Sequence, residues 1–571
     1  MWKAGLFVFV FVFLFLFSDR PIGALEPNNR FGIHVSDPSD LPLAQELVNS
    51  SGGDWGYITI VIQDNDRDTQ KWQVFFDDAR QRHLIPLVRL ATHPVYSNWE
   101  KPMPDQAEKW ATFLDDLNWP TKQRHVIIFN EPNHASEWGG SVNPTEYAEV
   151  LKSFRNTLKA ASSDFVVLNA GLDAAAPDER PRYMDLASFL VEMNRAVPGI
   201  FSYLDGWSSH SYPNPAFRGT PGQTGKMSIR GYAWERAFLS SQFGVSGLPI
   251  YITESGWPHA EGISEDRSFY SAEYTAEFIR SAFQFAWNDP DVVAVTPFIL
   301  RYKDKPFDHF SWTKNPTSTD DWVLGSEFPN DDAYPQFDTI REAQKLSGLP
   351  KQDERAEIIR QKIPSAMVAG EEYQGSVILR NTGQSIWGER KPVVIKLSPP
   401  FLQDPIVVDG LHVEPGQEAT MHIPLQAPFT KGTFPLTLTV LSTTELIKIH
   451  LEIEIVDPPL LRLIGQLSLH PYTITMRNDE GVTVFSREIQ LGKDGRSDAL
   501  DLRKLQPKNR YTLHIKQQYK LPADILLLTK SGEQELTIPS LRGGDFNDDE
   551  NFSLGDILTL LRHPSRIQTL F

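Results

Sequence analysis

The chain contains no cysteine among its 571 residues. This absence excludes thiol nucleophiles, disulfide bonds, iron–sulfur clusters and zinc sites built on thiolates. Basic residues are scarce relative to acidic ones, with 55 Lys and Arg against 73 Asp and Glu and a formal net charge of −18. Because phosphate backbones bind clustered Lys and Arg, we expect no nucleic-acid partner. The sequence motifs of zinc metalloproteases, serine esterases and dinucleotide-binding folds are missing as well.

One long apolar run stands near the N-terminus, where Gly5 to Phe17 contains no polar residue. A single Lys precedes this run, and a short polar and small-residue stretch ending at Ala24 follows it. The run is shorter than the ~20 residues that a membrane-spanning helix needs, and the layout is typical of a secretory signal peptide. We therefore predict a signal peptide over 1–24 and a secreted or extracellular protein. Cell-surface attachment through an uncleaved anchor is the alternative.

Short apolar segments alternate with longer segments of helical periodicity between Arg30 and Leu349. Helical spacing is clear in Pro144 to Ala161, where apolar residues recur every three or four positions. The predicted strands are 31–35, 57–62, 84–90, 125–130, 165–171, 204–212, 249–254 and 292–300. Eight strand–helix repeats predict an α/β fold, a (β/α)8 TIM barrel over 25–350. A doubly wound open sheet is the structural alternative.

Two glutamates directly follow apolar strands. Glu131 comes after "VIIFN" and Glu254 after "PIYIT", at the ends of the fourth and seventh predicted strands. Active sites of parallel barrels lie at the carboxyl ends of the strands, so these side chains can face each other across the barrel mouth. A paired-carboxylate site is therefore predicted there.

The residues around both glutamates resemble the retaining glycoside hydrolases of the (β/α)8-barrel clan that has catalytic Glu residues after strands four and seven. The matching stretches are Asn130-Glu131-Pro132 and "YITESGW", Tyr251 to Trp257. The resemblance implies that Glu254 is the nucleophile and Glu131 the acid/base. In the retaining route one carboxylate attacks the anomeric carbon while a carboxylic acid protonates the departing oxygen. Two carboxyl groups about 5–5.5 Å apart suffice, so no catalytic cofactor or metal is expected.

The same resemblance implies supporting roles for residues at other strand ends. Asn130 would hydrogen-bond the sugar 2-hydroxyl, and Arg89 at the end of the third strand would hold the nucleophile ionised. His210 and Tyr212 alternate on the sixth predicted strand, so both can point the same way. Tyr212 is a candidate donor to Glu254. A packing role is the alternative for both His210 and Tyr212.

Three more residues are candidates for direct contact with sugar. His34 lies on the first predicted strand, and Trp257 and Trp312 offer aromatic faces on which a sugar ring can stack. The alternative for each is a place in the hydrophobic core, which is the commoner location for tryptophan in a chain with 14 of them.

Together these features predict a secreted retaining glycosidase that cleaves O-glycosidic bonds of poly- or oligosaccharides by double displacement. Two other functions stay open. One is a non-catalytic carbohydrate-binding or surface protein on a barrel scaffold, and the other is a transglycosylase, which shares the same catalytic residues. Sugar, linkage and exo or endo action are also left open.

Beyond residue 350 the pattern changes to alternating strands separated by turn residues. The segment containing "NTGQSIW" resembles the immunoglobulin-like modules that follow catalytic domains in secreted carbohydrate enzymes, which implies a β-sandwich over 351–457. Its role would be spacing, weak carbohydrate contact or support of the barrel. A second β-rich accessory domain is predicted over 458–540.

The C-terminal segment 541–571 contains the acidic stretch "DFNDDENFSLGD". Oxygen donors fall at loop positions that suit a calcium ion, supplied by Asp545, Asn547, Asp549, Asn551, Ser553 and Asp556. The pattern resembles one half of a dockerin module, which implies a structural Ca²⁺ ion and a weak cohesin-like or cell-surface partner. Glu550 departs from the pattern, because glycine usually makes this turn. A solvated acidic turn before a C-terminal helix is the alternative.

Overall fold

The computed structural model of the chain describes residues 27–314, 333–399, 401 and 404–570. The predicted signal peptide, 1–24, lies outside these residues. The chain divides into two compact units, Met1–Gln352 and Asp353–Phe571. In the described part, no helix is both long enough and apolar enough to cross a membrane. The domain boundaries given above remain predictions.

The first unit contains eight parallel strands, one in each segment predicted to be a strand. They are β1 (Gly32–His34), β2 (Gly56–Gln63), β3 (Leu84–Ala91), β4 (Arg124–Ile127), β5 (Phe165–Leu168), β6 (Trp207–His210), β7 (Ile250–Glu254) and β8 (Val292–Val295). Strands β1 to β5 pair in sequence order in one sheet, and β6 to β8 pair in order in a second sheet.

Isolated parallel bridges connect the edges of the two sheets. Leu168 bridges to Gly206 between β5 and β6, and Phe31 bridges to Val295 between β1 and β8. The pairing thus runs from β1 through β8 and returns to β1, which we call the strand ring. A doubly wound sheet reverses its strand order near the middle, so this sequential order contradicts that alternative.

Each strand of the ring is followed by a helix. The helices are α1 (Leu41–Val48), α2 (Thr69–Gln81), α3 (Ala107–Asp115), α4 (Pro144–Ala161), α5 (Leu186–Ala196), α6 (Gly231–Phe243), α7 (Ala272–Ser281) and α8 (Pro335–Glu342). Several begin at a side chain that accepts a hydrogen bond from the first turn, including Asp68, Asn143, Asp185 and Ser271. The prediction of an α/β unit with parallel strands is therefore confirmed.

The inside of the ring is filled at one level by apolar side chains. This cluster includes Tyr57, Ile85, Ile127, Leu168 and Tyr251, contributed by five different strands. A larger apolar cluster includes the inward faces of the helices. The packed interior leaves the carboxyl ends of the strands as the place where polar side chains converge.

The second unit is built almost entirely of strands, as predicted. Its strands are β9 (Ala356–Lys362), β10 (Ala366–Val368), β11 (Glu372–Asn381), β12 (Val393–Leu397), β13 (Ile406–Val408), β14 (Glu418–Gln426), β15 (Gly432–Leu441), β16 (Glu445–Val456), β17 (Pro459–Ile464), β18 (Tyr472–Arg477), β19 (Thr483–Ile489), β20 (Leu500–Asp501), β21 (Arg510–Gln517), β22 (Tyr519–Leu528), β23 (Gly532–Thr537) and β24 (Gly543–Asp545). The helix α9 (Leu554–Arg562) follows them.

Four sheets form around two apolar cores in this unit. Sheets β9-β11-β14 and β10-β16-β15-β12-β13 share one core, which contains Leu379, Ile423 and Leu438. Sheets β20-β17-β23 and β19-β18-β21-β22-β24 surround the other, which contains Leu463 and Leu513. In β14 every second residue is buried, as expected for a strand with one face on a core.

Candidate active site

A cavity of about 510 Å³ opens at the carboxyl ends of the ring strands. Each of β1, β2, β3 and β7 contributes a residue at or close to its last position, and the loops after the other strands supply the rest. The polar residues that line it are His34, Ser36, Gln63, Arg89, Thr92, Asn130, Glu131, His134, Glu137, Asp173, Tyr212, Asn214, Glu254 and Tyr302. The predicted carboxylate pair thus lies in one cavity.

Glu131 reaches this cavity through an irregular turn. Strand β4 ends at Ile127, three residues before the predicted end at Asn130. Phe129 and Glu131 then adopt φ values of +67° and +30°, a region that residues other than glycine rarely occupy. The backbone N–H of Glu131 donates to the carbonyl oxygen of Gly171 at 3.1 Å, which holds the turn. Strain of this kind is often found at functional sites.

Glu254 is the last residue of β7 and is held by two strong hydrogen-bond donors. The Arg89 guanidinium forms an ion pair with Oε1, and the Tyr212 hydroxyl donates to Oε2 at 3.0 Å. Burial favours the neutral acid, but the charges of His210 and Arg89 outweigh it and lower the pKa of Glu254 to about 2. Glu254 is therefore a carboxylate at any pH near neutrality.

His210 lies between the two glutamates. Its Nδ1 is 2.8 Å from Oε1 of Glu131 and 3.7 Å from Oε2 of Glu254. Burial lowers the pKa of His210, but the charge of Glu254 and the hydrogen bond to Glu131 raise it above the ordinary value. Oxygen atoms of Glu131 and Glu254 and a ring nitrogen of His210 all lie within 4.8 Å of one another. The ring therefore bridges the pair.

Arg89 and Asn130 form a second connection across the cavity. Nη1 of Arg89 donates to Oδ1 of Asn130 at 2.9 Å as well as to Glu254. This bond leaves the amide nitrogen of Asn130 as the group that can donate to a ligand. Both residues line the cavity.

His34 is buried at the cavity wall with no hydrogen bond to either ring nitrogen from any described residue. Burial and the charge of Arg89 lower its pKa to about 3, so the ring is neutral. A buried imidazole without a protein partner is costly unless another group bonds to it. Both ring nitrogens of His34 are therefore free to bond to a hydroxyl group of a ligand.

Trp257 and Trp312 require a correction, because neither lines the cavity. Both side chains are buried in the core. The indole N–H of Trp257 donates to the carbonyl oxygen of Gly219 at 2.7 Å, and its ring packs against Trp287 and Phe278. Their apolar rings are stabilised by packing, so the sugar-stacking role predicted for them does not match their positions.

Aromatic residues that the sequence analysis did not select form one wall of the cavity. They are Phe217, Phe298, Tyr302, Phe307 and Phe310, and their rings contact one another edge to face or at a tilt. Tyr212 contacts this wall through Phe217 and Phe310. The aromatic content of 298–310 was the available signal, but aromatic residues are equally common in cores.

Polar residues that line the cavity were also missed. His134 bonds to Asp173 at 2.9 Å, and Asn130 donates to a third carboxylate, Glu137, at 3.3 Å. Burial and the nearby charge of Glu131 raise the pKa of Glu137 to about 7. Glu137 follows no strand, so the rule that selected Glu131 and Glu254 does not select it.

The C-terminal loop brings together three of its six predicted ligands. Carboxylate oxygens of Asp545, Asp549 and Asp556 lie within 4.8 Å of one another. Asp545 and Asp556 already accept backbone N–H groups of the loop, for example from Asp549 at 3.0 Å and from Phe546 at 2.8 Å. The remaining three, Asn547, Asn551 and Ser553, hydrogen-bond within the loop to these carboxylates.

A lysine side chain lies next to the acidic side chains of this loop. Nζ of Lys516 on β21 lies 3.2 Å from Asp545 and 2.8 Å from Asp548. The oxygen set suits a hard cation such as calcium, but the ammonium group already supplies positive charge at one of the three carboxylates. The residues thus fit calcium in donor type, with Lys516 as a competitor.

No protein-family model matches the chain, and no curated protein sequence matches it. Among solved structures, it is similar to an endo-beta-1,3-glucanase of GH128 subgroup II from Sorangium cellulosum, at 14% identity and a TM-score of 0.34. That match covers 56% of this chain and 98% of the glucanase.

Two further solved structures show similar levels of likeness. A beta-mannanase from Thermomonospora fusca has 14% identity and a TM-score of 0.34, over 55% of this chain and 89% of the mannanase. A beta-glucuronidase from Parabacteroides merdae has 10% identity and a TM-score of 0.33, over 87% of this chain and 61% of the glucuronidase. At these scores, a function for this chain has to be argued from its own geometry.

Proposed function

We propose that the chain is a retaining glycoside hydrolase. The observation that carries this proposal is the separation of the pair, because oxygen atoms of Glu131 and Glu254 lie within 4.8 Å of each other. Retaining enzymes hold their two carboxyl groups about 5–5.5 Å apart, whereas inverting enzymes leave about 6.5–9.5 Å for a water molecule. An oxygen-to-oxygen distance within 4.8 Å agrees with the retaining spacing.

The two environments support different roles for the pair. Glu254 is ionised and held by Arg89 and Tyr212, as a nucleophile requires. Its carboxylate attacks the anomeric carbon while Glu131 gives a proton to the departing glycosidic oxygen, which leaves with the bonding electrons. Glu131 then takes a proton from water, whose oxygen attacks the same carbon and displaces Glu254. The sugar is released with its anomeric configuration retained.

The finer features of fold and location belong to the same proposal. The strand ring is the (β/α)8 barrel of that clan, supported by its sequential pairing and by the bridges that return from β8 to β1. The region 351–457 is an immunoglobulin-like sandwich and 458–540 a second accessory domain, supported by their two separate cores. The N-terminal run supports secretion.

We propose that the substrates are poly- or oligosaccharides, since the cavity is lined by aromatic side chains and by carboxylates and amides. Aromatic faces pack against the apolar faces of sugars, and polar side chains bond to their hydroxyl groups. The two alternative functions predict different reaction products. A carbohydrate-binding protein would cleave nothing, and a transglycosylase would transfer the sugar to an acceptor other than water.

The test is hydrolysis of a broad panel of 4-nitrophenyl glycosides by the parent protein, Glu254→Ala and Glu131→Ala, each with and without azide. We expect cleavage by the parent and a loss of at least about 10³-fold in Glu254→Ala, because a covalent route has no substitute nucleophile. Azide should restore turnover in both variants, with an inverted glycosyl azide from Glu254→Ala and a retained one from Glu131→Ala.

Glu149→Ala is the matched control, because this glutamate is exposed on α4 away from the cavity. It should retain the activity of the parent. Absence of cleavage across the panel by a folded parent protein would instead favour the carbohydrate-binding alternative. Products elongated by an added acceptor sugar, in place of free sugar, would favour the transglycosylase.

We also propose that the C-terminal loop binds calcium weakly, supported by the three clustered carboxylates Asp545, Asp549 and Asp556. Such a site would make this segment a docking element for a cohesin-like or cell-surface partner. Calorimetric titration of the full chain with CaCl₂ tests the metal, and the absence of any heat beyond dilution would refute it.

A further inference from the structure

Glu137 is a cavity residue that the double-displacement mechanism does not use. It closes a short 3₁₀ turn, Ala135–Glu137, on the loop after β4. Its Oε2 accepts a hydrogen bond from Nδ2 of Asn130 at 3.3 Å, over a separation of seven residues. Among the described residues, no Lys or Arg forms an ion pair with Glu137. Asn130 therefore holds this carboxylate through a hydrogen bond, and not through a salt bridge.

The position of Glu137 fixes the orientation of the Asn130 amide. Arg89 donates to the amide oxygen at 2.9 Å, and Glu137 accepts from the amide nitrogen at 3.3 Å. Rotating the amide by half a turn would place its NH₂ against the guanidinium and its oxygen against the carboxylate, and both contacts would be repulsive. The amide is thus held in one orientation from both ends.

This orientation matters because the amide nitrogen has two hydrogens. One is directed to Glu137, and the other is left for a ligand, since no other acceptor for Nδ2 is found within the described residues. An asparagine preceding the acid/base in such a site can donate to the sugar 2-hydroxyl, a bond that strengthens in the transition state. Without Glu137 the amide would keep only its contact with Arg89.

We propose that Glu137 is a positioning residue that acts through Asn130 on the sugar 2-hydroxyl. This inference rests on the proposed glycosidase function. Glu137 accepts from one amide hydrogen and so directs the other toward the substrate. Burial and the nearby charge of Glu131 raise its pKa, in agreement with a carboxyl group that has no bound cation among the described residues.

The test compares 4-nitrophenyl glycosides with and without the 2-hydroxyl, using the parent protein, Glu137→Ala and Glu137→Gln. On the 2-hydroxy substrate we expect Glu137→Ala to lower kcat by about 10- to 100-fold, the range for losing a hydrogen bond to a charged group. On the 2-deoxy substrate the loss should be about 2-fold or less. Glu137→Gln should recover most of the activity, because its side-chain oxygen can accept the same hydrogen bond.

A double-variant cycle separates positioning from direct contact. In the background of Asn130→Ala, the further change Glu137→Ala should have almost no effect, because two residues acting through one bond are not additive. Equal losses on both substrates, or an undiminished loss in the Asn130→Ala background, would overturn the inference. In either case the parent would still cleave the 2-hydroxy substrate, so the glycosidase function would stand. A folded parent that cleaves neither substrate would remove the glycosidase function and the inference together.

Discussion

Gly171 and His210 are packed so closely that a methyl group on Gly171 would lie 2.1 Å from Cδ2 of the imidazole. The ring is buried behind the two glutamates and cannot move without breaking its bond to Glu131. His210 can therefore hold its place beside the carboxylate pair only because Gly171 has no side chain.

We predict that Gly171→Ala lowers kcat/KM by at least about 100-fold and destabilises the protein by about 1–3 kcal/mol, as overpacking in a tight site does. Glycosidase assays and urea unfolding measure the two effects. Gly222→Ala is the control, because a methyl group there would meet no atom within 4 Å. Unchanged activity of Gly171→Ala would contradict the role assigned to the His210 ring.

Tyr212 should contribute to the chemistry and little to stability. Its hydroxyl donates to Oε2 of Glu254 at 3.0 Å, and its ring packs on Phe217 and Phe310. Tyr212→Phe keeps the packing and removes only the hydrogen bond to a charged group, which is worth about 1.5–3 kcal/mol. We expect kcat to fall by about 10- to 100-fold. A change in unfolding midpoint with full activity would show a structural role instead.

The buried Glu235 should make stability depend on pH. Burial raises its pKa from 4.5 to about 7, and its Oε2 accepts from the Trp207 indole at 2.6 Å. A raised pKa means that the folded state binds the proton more tightly. The stability that protonated Glu235 contributes is therefore fully present below about pH 4.5 and is lost as the pH rises through 7.

Glu235→Gln keeps an acceptor for the indole and removes this titration. Relative to the parent, we expect the variant to be near neutral at pH 4.5 and more stable by up to about 3 kcal/mol at pH 8, since each pKa unit corresponds to about 1.4 kcal/mol. Urea unfolding at both pH values measures the difference. The control is Glu149→Gln at an exposed position, and a pH-independent difference for Glu235→Gln would refute the prediction.

The charges of the cavity should select against acidic sugars. Four acidic side chains line it, Glu131, Glu137, Asp173 and Glu254. The cationic or titratable partners beside them are already bonded to these groups, Arg89 to Glu254, His210 to Glu131 and His134 to Asp173. A uronic acid would bring a further negative charge into this setting.

Pairs of 4-nitrophenyl glycosides that differ only at C6, such as glucoside and glucuronide, test this selection. We expect kcat/KM for the neutral member to exceed that for the acidic member by at least about 10-fold, equivalent to about 1.4 kcal/mol. Raising the ionic strength should narrow the gap, because salt screens the repulsion. Faster cleavage of the uronide would show that the carboxylates do not set specificity.

Lys516 should weaken calcium binding in the C-terminal loop. Its ammonium group is 3.2 Å from Asp545. Burial lowers the pKa of Lys516, but the acidic neighbours Asp548 and Asp545 outweigh this effect and raise the pKa above its ordinary value. Lys516→Gln removes the competing charge. We expect calcium to bind the variant at least about 10-fold more tightly, because a like charge at this distance costs more than 1 kcal/mol.

Calorimetric titration of the parent and of Lys516→Gln measures both affinities, with Lys508→Gln as a control on the same unit. Removal of calcium by EDTA should then lower the thermal midpoint of Lys516→Gln more than that of the parent. Equal affinities in the two proteins would show that Lys516 does not compete for the site.

The strands and their polar ends follow directly from the sequence. The apolar segments 57–62 and 84–90 lie within β2 and β3. Arg89 and Glu254 lie near strand ends, where alternation fixes the direction of each side chain. Local pattern is sufficient in these cases because a strand buried in a ring has little conformational choice.

Residues placed by loops could not be found in the same way. Glu137 meets Asn130 only because the chain turns through positive φ at Phe129 and Glu131, which no local propensity of these residues favours. Trp257 was assigned to the cavity from its motif, but the space available in the core decided its position. Both depend on tertiary packing, which the spacing of residues does not encode.

Isolated bridges, and not continuous ladders, join the two sheets of the ring along the backbone. Active-site side chains therefore contribute to holding the sheets together. Arg89 belongs to the sheet of β1 to β5 and Glu254 to the sheet of β6 to β8, while His210 returns the connection from the second sheet to Glu131. The Arg89–Glu254 and His210–Glu131 bonds therefore also connect the two sheets, which isolated bridges join along the backbone. We therefore expect a relative movement of the two sheets to change the separation of the carboxylate pair, and a ligand bound to both glutamates to restrict both.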